Sequence, residues 1–329
     1  MSELAVNDVA VDGQQQHDDV FPLVLAAQAP GSLKDARQWV RSRRDELLQS
    51  LSRHGAILFR GFAIQDANDF DRFIRAFDLE SFTYDESFSN AVRVNCTELV
   101  FTANEAPPDV SIYLHHEMAQ TPLFPSRLFF CCEIAPTSAG ETPLCRSDVL
   151  LERLQKEEED FVQRCESLGI RYSNVMPAVD DAESGQGRSW RSTLRVADRA
   201  EAEARLDAMG YRYEWLEDDS LRATTAVMPA IRTLASGRRV FFNQLIAAFR
   251  GWKEAEKSVW FGDDTPIPPA SMRTACRLAD ELSFDLPWQA GDVALVDNFL
   301  VMHGRRPFAG KRRVLVSLVA DDGKQLAAA

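Results

Sequence analysis

A chain of 329 residues, 45% hydrophobic and 26% charged, has enough apolar side chains for a full core in one large domain or two closely packed ones. Its net charge of −13 argues against a general nucleic-acid binder. No apolar run is long enough to span a membrane.

The first residues, "MSELAVNDVAVDGQQQHDD", lack a positive start followed by an apolar stretch, so they do not read as a secretory signal. Residues 1–20 are expected to form a polar, poorly ordered tail. From Leu33 to His54, Ala36, Val40, Leu47, Leu48 and Leu51 recur at helical spacing. "GAILFRGF" (Gly55–Phe62) predicts a buried strand, and "DANDFDRFIRAF" another helix. Between Arg93 and Glu133 the pattern turns to strands: "VRVNCTELVFT", "VSIYLHHEM" and "SRLFFCCEI".

Residues 148–220 are charge-rich and helical in pattern, with a polar loop, "AVDDAESGQGRSW", between two such stretches. Strands return at "TTAVMPAIRTL" and "RRVFFNQL". The end is again strand-rich: "GDVALVDNFLVMHG", a turn at "RRPFAG", then "KRRVLVSLVA". The expected class is α+β, mainly a β core, interrupted by a helical insertion over 148–220. The six cysteines form no CxxC pair, and Cys131-Cys132 lies in an apolar run. They read as reduced, mostly buried thiols of a cytoplasmic protein.

Only five histidines are present, and two are adjacent in "YLHHEMAQTP" (113–122). On a strand, residues i and i+2 share a face. His115 and Glu117 are so related, and His116 points away. A third ligand must come from elsewhere. His17 lies in the tail and His54 at a helix end, whereas His303 closes the apolar run "VALVDNFLVMH". Two histidines and one carboxylate with open positions form the facial triad of non-haem Fe(II) oxygenases. Taken alone, His-x-Glu is a common surface pattern, and a histidine at a strand end needs no metal.

The surrounding motifs narrow the choice. "AGETPL" (Ala139–Leu144) follows the first pair, and "HGRRPFAGKRRVLVSL" (His303–Leu318) contains the third histidine. With "HGAILFRGF", "FPSRLFFCCE", "FFNQL" and "GDVALVDNFLVMHGR", these segments resemble the taurine dioxygenase family of Fe(II)/2-oxoglutarate-dependent oxygenases. The likeness is nearest to the clavaminate-synthase-like and syringomycin-type amino-acid hydroxylases. It covers most of the chain and implies a double-stranded β-helix, or jelly roll, with flanking helices. Residues 21–329 would form one domain, with the 148–220 insertion lidding the barrel mouth.

The resemblance implies Fe(II) on His115, Glu117 and His303, with 2-oxoglutarate and O2 as cosubstrates. Thr142 and Arg313 match the residues that hold the far carboxylate of 2-oxoglutarate. A planar guanidinium suits that carboxylate. Arg312, facing the other way, is expected at the surface or in a supporting place behind the site. Taurine dioxygenase carries a further Arg, four residues on, for the substrate sulfonate; here Ser317 stands there, which argues against a sulfonate. Glu117 argues against halogenation, because related halogenases replace that carboxylate with a small residue.

The implied reaction is hydroxylation of an amino acid or amino-acid-derived intermediate of secondary metabolism, such as antibiotic biosynthesis. The substrate would be free or presented on a carrier protein. Desaturation, epoxidation or cyclisation is the alternative within this cofactor class, and a catalytically inactive small-molecule-binding barrel the alternative outside it. Homo-oligomerisation is left open. Asn298 is placed either beside the metal ligands or at a turn. Asn243 is placed at the pocket wall or in a structural network, and Trp190 with Arg191 either in a lid or in a loop without a role. "RVNCTELVFT" is expected to line the cavity.

Overall fold

A computed structural model describes residues 4–28, 31–89, 91–103, 106–181, 187–252 and 255–320. Two sheets face each other across a core. The larger has the strand order Val6–Asp8, Leu23–Ala27, Ala56–Arg60, Val293–Asp297, Arg127–Ile134, Arg313–Val319, Ser81–Phe82, with Phe101–Thr102 also pairing to Arg313–Val319. The smaller runs Ser283–Leu286, Thr142–Arg146, Val301–Arg305, Ile112–His115, all antiparallel. Chain-distant strands alternate within both sheets, which is the jelly-roll arrangement the resemblance implies.

Alternation explains the layers. Leu58, Phe130, Ala294, Val314 and Val316 turn inward from the large sheet, to meet Leu144, Phe284, Leu286 and Val301 from the small one. Their neighbours Phe59, Phe129, Cys131, Leu295 and Leu315 face outward and are covered by Trp39, Val40, Leu47, Phe70 and Phe73 of the N-terminal helices. On the far side of the small sheet, Leu114, Cys145 and Met302 pack under the helices Ser147–Glu157, Glu159–Leu168, Leu245–Gly251 and Pro269–Glu281. The strands are therefore apolar on both faces, as in "VALV" and "RVLVSLV".

Several elements depart from the sequence reading. The supposed tail is folded from residue 4 onward. Val6–Asp8 pairs with Leu23–Ala27, Val9 and Val11 pack on the core, and the Gln15 side chain donates to the Leu282 carbonyl at 2.9 Å. The alternating apolar residues of "LAVNDVAV" supply that face, which low overall hydrophobicity disguised. The single helix 33–54 is two, Leu33–Ser42 and Arg44–His54, parted at Arg43.

The insertion is not purely helical, because Ile170–Met176 and Arg212–Trp215 are strands. They join Leu221–Thr224 and Val259–Phe261 in a four-stranded antiparallel sheet. Its first two helices lie against the small sheet, not over the barrel mouth. "VRVNCTELVFT" is mostly irregular, with only Phe101–Thr102 in a strand. Part of the polar loop after Pro177, residues 182–186, lies outside the described residues. Five of the six cysteines are buried and all six are free thiols.

Candidate metal and cosubstrate site

The small sheet brings the two histidines together directly. His115 and His303 are opposed residues on adjacent antiparallel strands, and their rings lie 4.4 Å apart. The register shifts just after His303, at Gly304, where any β-carbon would collide with the Ile112 carbonyl oxygen. Glu117 comes from beyond the strand, which ends at His115; the chain turns there, with Met118 at φ +56°. The i, i+2 argument thus holds for His115 against His116, while Glu117 reaches the same side from a turn.

Asn298 fixes that turn. Its side-chain oxygen accepts from the Glu117 amide at 2.8 Å, and its amide nitrogen donates to the carbonyls of Glu117 (3.1 Å) and Pro125 (2.7 Å). Of the two placements read from sequence, Asn298 therefore fills both at once. His116 is fully buried; its Nδ1 lies 2.5 Å from the Asn298 carbonyl and its Nε2 3.2 Å from that of Phe241. Burial first, then the neighbouring imidazoles, pull its pKa down to about 3. A neutral ring donates once, through the nitrogen at the shorter contact.

One ligand atom each from His115, Glu117 and His303 lie within 4.8 Å of one another. The Glu117 Oε2 stands 3.6 Å from His115 Nε2 and 3.5 Å from His303 Nε2. These gaps are long for hydrogen bonds. They suit atoms bound to a common ion at roughly 2.0–2.2 Å, whose mutual separations run from about 2.8 Å at right angles to about 3.6 Å at tetrahedral angles. The chemistry of each donor fits as well. His115 Nδ1 meets the Tyr113 carbonyl at 2.8 Å, which leaves the Nε2 lone pair for a metal. Burial lowers the His303 pKa to about 4, so this ring is neutral at physiological pH. Burial alone would raise the Glu117 pKa, but the two facing imidazoles hold it well below the usual carboxylate range. The Tyr84 hydroxyl donates to the other oxygen, Oε1, at 2.9 Å, and the Arg93 guanidinium lies over the Tyr84 ring. Nothing in the pattern of "SFTYDESF" marks Tyr84 for this contact.

The same small cavity is lined by Thr142 and Arg312. Arg312 donates to the Gly140 carbonyl at 2.8 Å and lies 3.3 Å from Thr142 Oγ1. Thr142 also receives the Trp288 indole N–H at 2.9 Å. Burial lowers the Arg312 pKa to about 10, so it stays charged at neutral pH. Among the described residues it has no carboxylate within ion-pair distance. The expectation for the arginine pair is reversed. Arg313 turns outward, half-exposed, with its guanidinium on Glu133 and Cys96. Parity requires this, because Val314 and Val316 line the cavity and Arg312 shares their face. The position four residues on is then Val316 rather than Ser317. Val316 is apolar and lines the cavity.

The remaining candidates lie elsewhere. Asn243 is structural: it donates to the Ala230 carbonyl and accepts from the Leu245 amide at the start of a helix. Trp190 is fully buried in the insertion's own core, edge-on to Trp215 and donating to the Asp219 carbonyl, so it is no exposed lid. Of "RVNCTELVFT", Arg93 reaches the cavity, as does Ala103 just past its end.

A jelly roll with a buried His-Glu-His cluster beside the Arg312 guanidinium defines an iron- and 2-oxoglutarate-dependent oxygenase. A family model described as taurine catabolism dioxygenase TauD, TfdA family, matches residues 19–319, and the chain belongs to that family. It is 39% identical over 330 residues to a clavaminate synthase-like protein of Arabidopsis thaliana, covering 97% of this chain and 99% of that one. It is 29% identical over 286 residues to the dapdiamide synthesis protein DdaC of Enterobacter agglomerans, covering 82% and 83%. Among solved structures, PvcB of Pseudomonas aeruginosa superposes with a TM-score of 0.56 at 16% identity, covering 99% of this chain and 94% of that one. PvcB is described as an Fe, alpha-ketoglutarate dependent oxygenase from an isonitrile synthetic pathway. The protein is thus a dioxygenase of that family. No helix among the described residues is long and apolar enough to cross a membrane.

Proposed function

We propose that this enzyme hydroxylates an amino-acid-derived intermediate of a biosynthetic pathway, with Fe(II) on His115, Glu117 and His303 and the far carboxylate of 2-oxoglutarate on Arg312 and Thr142. The convergence of these five side chains in one cavity carries the reading. Bound iron supplies O2 activation coupled to cleavage of 2-oxoglutarate into succinate and CO2, with one oxygen atom entering succinate and the other the substrate C–H bond.

The protein's own part is placement. Tyr113 and Asn298 orient His115 and the Glu117 backbone, and Tyr84 holds Glu117 by its outer oxygen. One carboxylate oxygen is thereby left for the metal. Arg312 offers a planar fork to a carboxylate, and Phe130, Leu128, Val314 and Val316 keep the cavity apolar around it. The names of the dapdiamide and isonitrile relatives support a biosynthetic amino-acid substrate, free or held on a carrier protein.

The test is O2- and Fe(II)-dependent conversion of 2-oxoglutarate to succinate, stimulated by the substrate, with a product one oxygen atom heavier. An iron-loaded enzyme that never yields succinate would contradict the reading. A product two hydrogens lighter would transfer it to desaturation or ring closure.

A further inference from the structure

The cavity containing the His-Glu-His cluster measures only about 70 Å³. That is too small to take the cosubstrate and a second organic molecule together. A second cleft, with no lining residue in common, measures about 910 Å³, at the upper end of the roughly 300–1,000 Å³ that hold drug-sized ligands. The two are joined through the chain. Gln120 and Thr121 of the cleft lie in the turn that begins at Glu117, and Phe88 and Ser89 follow Tyr84. Arg188, from the insertion, donates at 2.8 Å to the carbonyls of Tyr84 and Ser89, tying the outer wall to the segment that touches Glu117.

The lining says what kind of molecule fits. No Asp or Glu is among the described residues that line the cleft, and in the inner cavity the one carboxylate is Glu117. The ammonium group of a free amino acid would find no anionic partner there, and burying it unpaired is costly. Of the two cations that line the cleft, Lys257 and Arg222, Arg222 is paired with Glu214; the rest of the lining presents neutral groups. Gln120 makes no hydrogen bond among the described residues, and its side-chain oxygen is buried from solvent. Asn174 also lines the cleft, with Trp252, Trp260 and the 43% exposed Val175 as apolar surface.

We infer that the substrate is an extended, amide-bearing chain in which the amino acid is acylated or amidated. Its reacting end reaches the metal cavity, the remainder lies along the insertion's sheet, and the Gln120 amide pairs with a substrate amide. This rests on the oxygenase reading above and adds the class of substrate.

The test uses the enzyme loaded anaerobically with Fe(II) and 2-oxoglutarate. Calorimetry compares each proteinogenic amino acid, free and as its N-acetyl-aminoacyl-glycinamide. The expected result is that at least one blocked probe binds 10-fold or more tighter than its free counterpart. Gln120→Leu should weaken that probe about 3- to 10-fold, as for one neutral hydrogen bond. Val175→Trp, at an exposed strand position, should weaken it 10-fold or more by filling the cleft. Both variants should keep the wild-type affinity for 2-oxoglutarate. Free amino acids binding as tightly as the blocked ones, no blocked probe binding at all, or Val175→Trp leaving binding unchanged would each overturn the inference. Failure of the oxygenase reading shows separately, as absence of the iron–2-oxoglutarate absorption band before any probe is added.

Discussion

The two sheets furnish the site in different ways. On the small sheet, His115 and His303 are cross-strand partners, and the turn carrying Glu117 is pinned by two hydrogen bonds to the Asn298 side chain. On the large sheet, Arg312 sits just before the Arg313–Val319 strand, where the register shifts, and it is held by one carbonyl and one hydroxyl. The first arrangement suits a metal, whose ligands must not move; the second leaves a cation with donors to spend on an incoming carboxylate. A site of this kind is rigid where geometry sets the chemistry and less fully paired where a cosubstrate comes and goes.

The largest test of that contrast is on the metal side. His115→Ala should abolish the iron–2-oxoglutarate band under anaerobic conditions, because two ligands do not make the triad. His116→Gln should keep it. Its cost should fall on stability, roughly 1–3 kcal/mol by chemical denaturation, since the buried Asn298 carbonyl loses the imidazole N–H. The next effect is on the arginine side. Arg312→Ala should raise the dissociation constant of 2-oxoglutarate about 10- to 150-fold, the loss of a charge-assisted pair of about 1.5–3 kcal/mol. Arg313→Ala should change it less than 3-fold. Equal effects of the two would erase the distinction between the faces.

That distinction was only half legible in the amino-acid sequence. His115 and His116 differ in parity on a short strand, and the pairing with His303 needs only the right fold, so the metal side could be read from motif and spacing. The arginine pair could not be oriented from pattern. "RVLVSLV" is apolar on both faces because helices cover one side of the sheet and the core the other, so period two leaves no trace in hydrophobicity. Tyr84 and Trp288 reach the site from irregular or distant segments and carry no signal of spacing. The N-terminal strand was hidden by its polar neighbours, and the insertion's sheet by the stronger helical pattern around it.

Smaller effects refine the same picture. Tyr84→Phe should weaken Fe(II) binding about 3- to 10-fold, as one hydrogen bond to the Glu117 carboxylate is lost. Titration of metal into the 2-oxoglutarate complex reads this directly. Ala139, ahead of the Gly140 carbonyl that Arg312 grips, sits at φ +55° in the left-handed region. Ala139→Gly should stabilise the protein by about 1 kcal/mol in thermal or denaturant unfolding, with 2-oxoglutarate affinity unchanged.

The central claim is that one cavity joins the His115–Glu117–His303 cluster to the Arg312 guanidinium. It is tested most directly by anaerobic titration of 2-oxoglutarate into the Fe(II) enzyme, following the charge-transfer band in wild type, Arg312→Ala and Arg313→Ala. The account predicts a saturable band in all three, with affinity lost only in Arg312→Ala. A wild type that binds iron but forms no band, or a loss confined to Arg313→Ala, would contradict it.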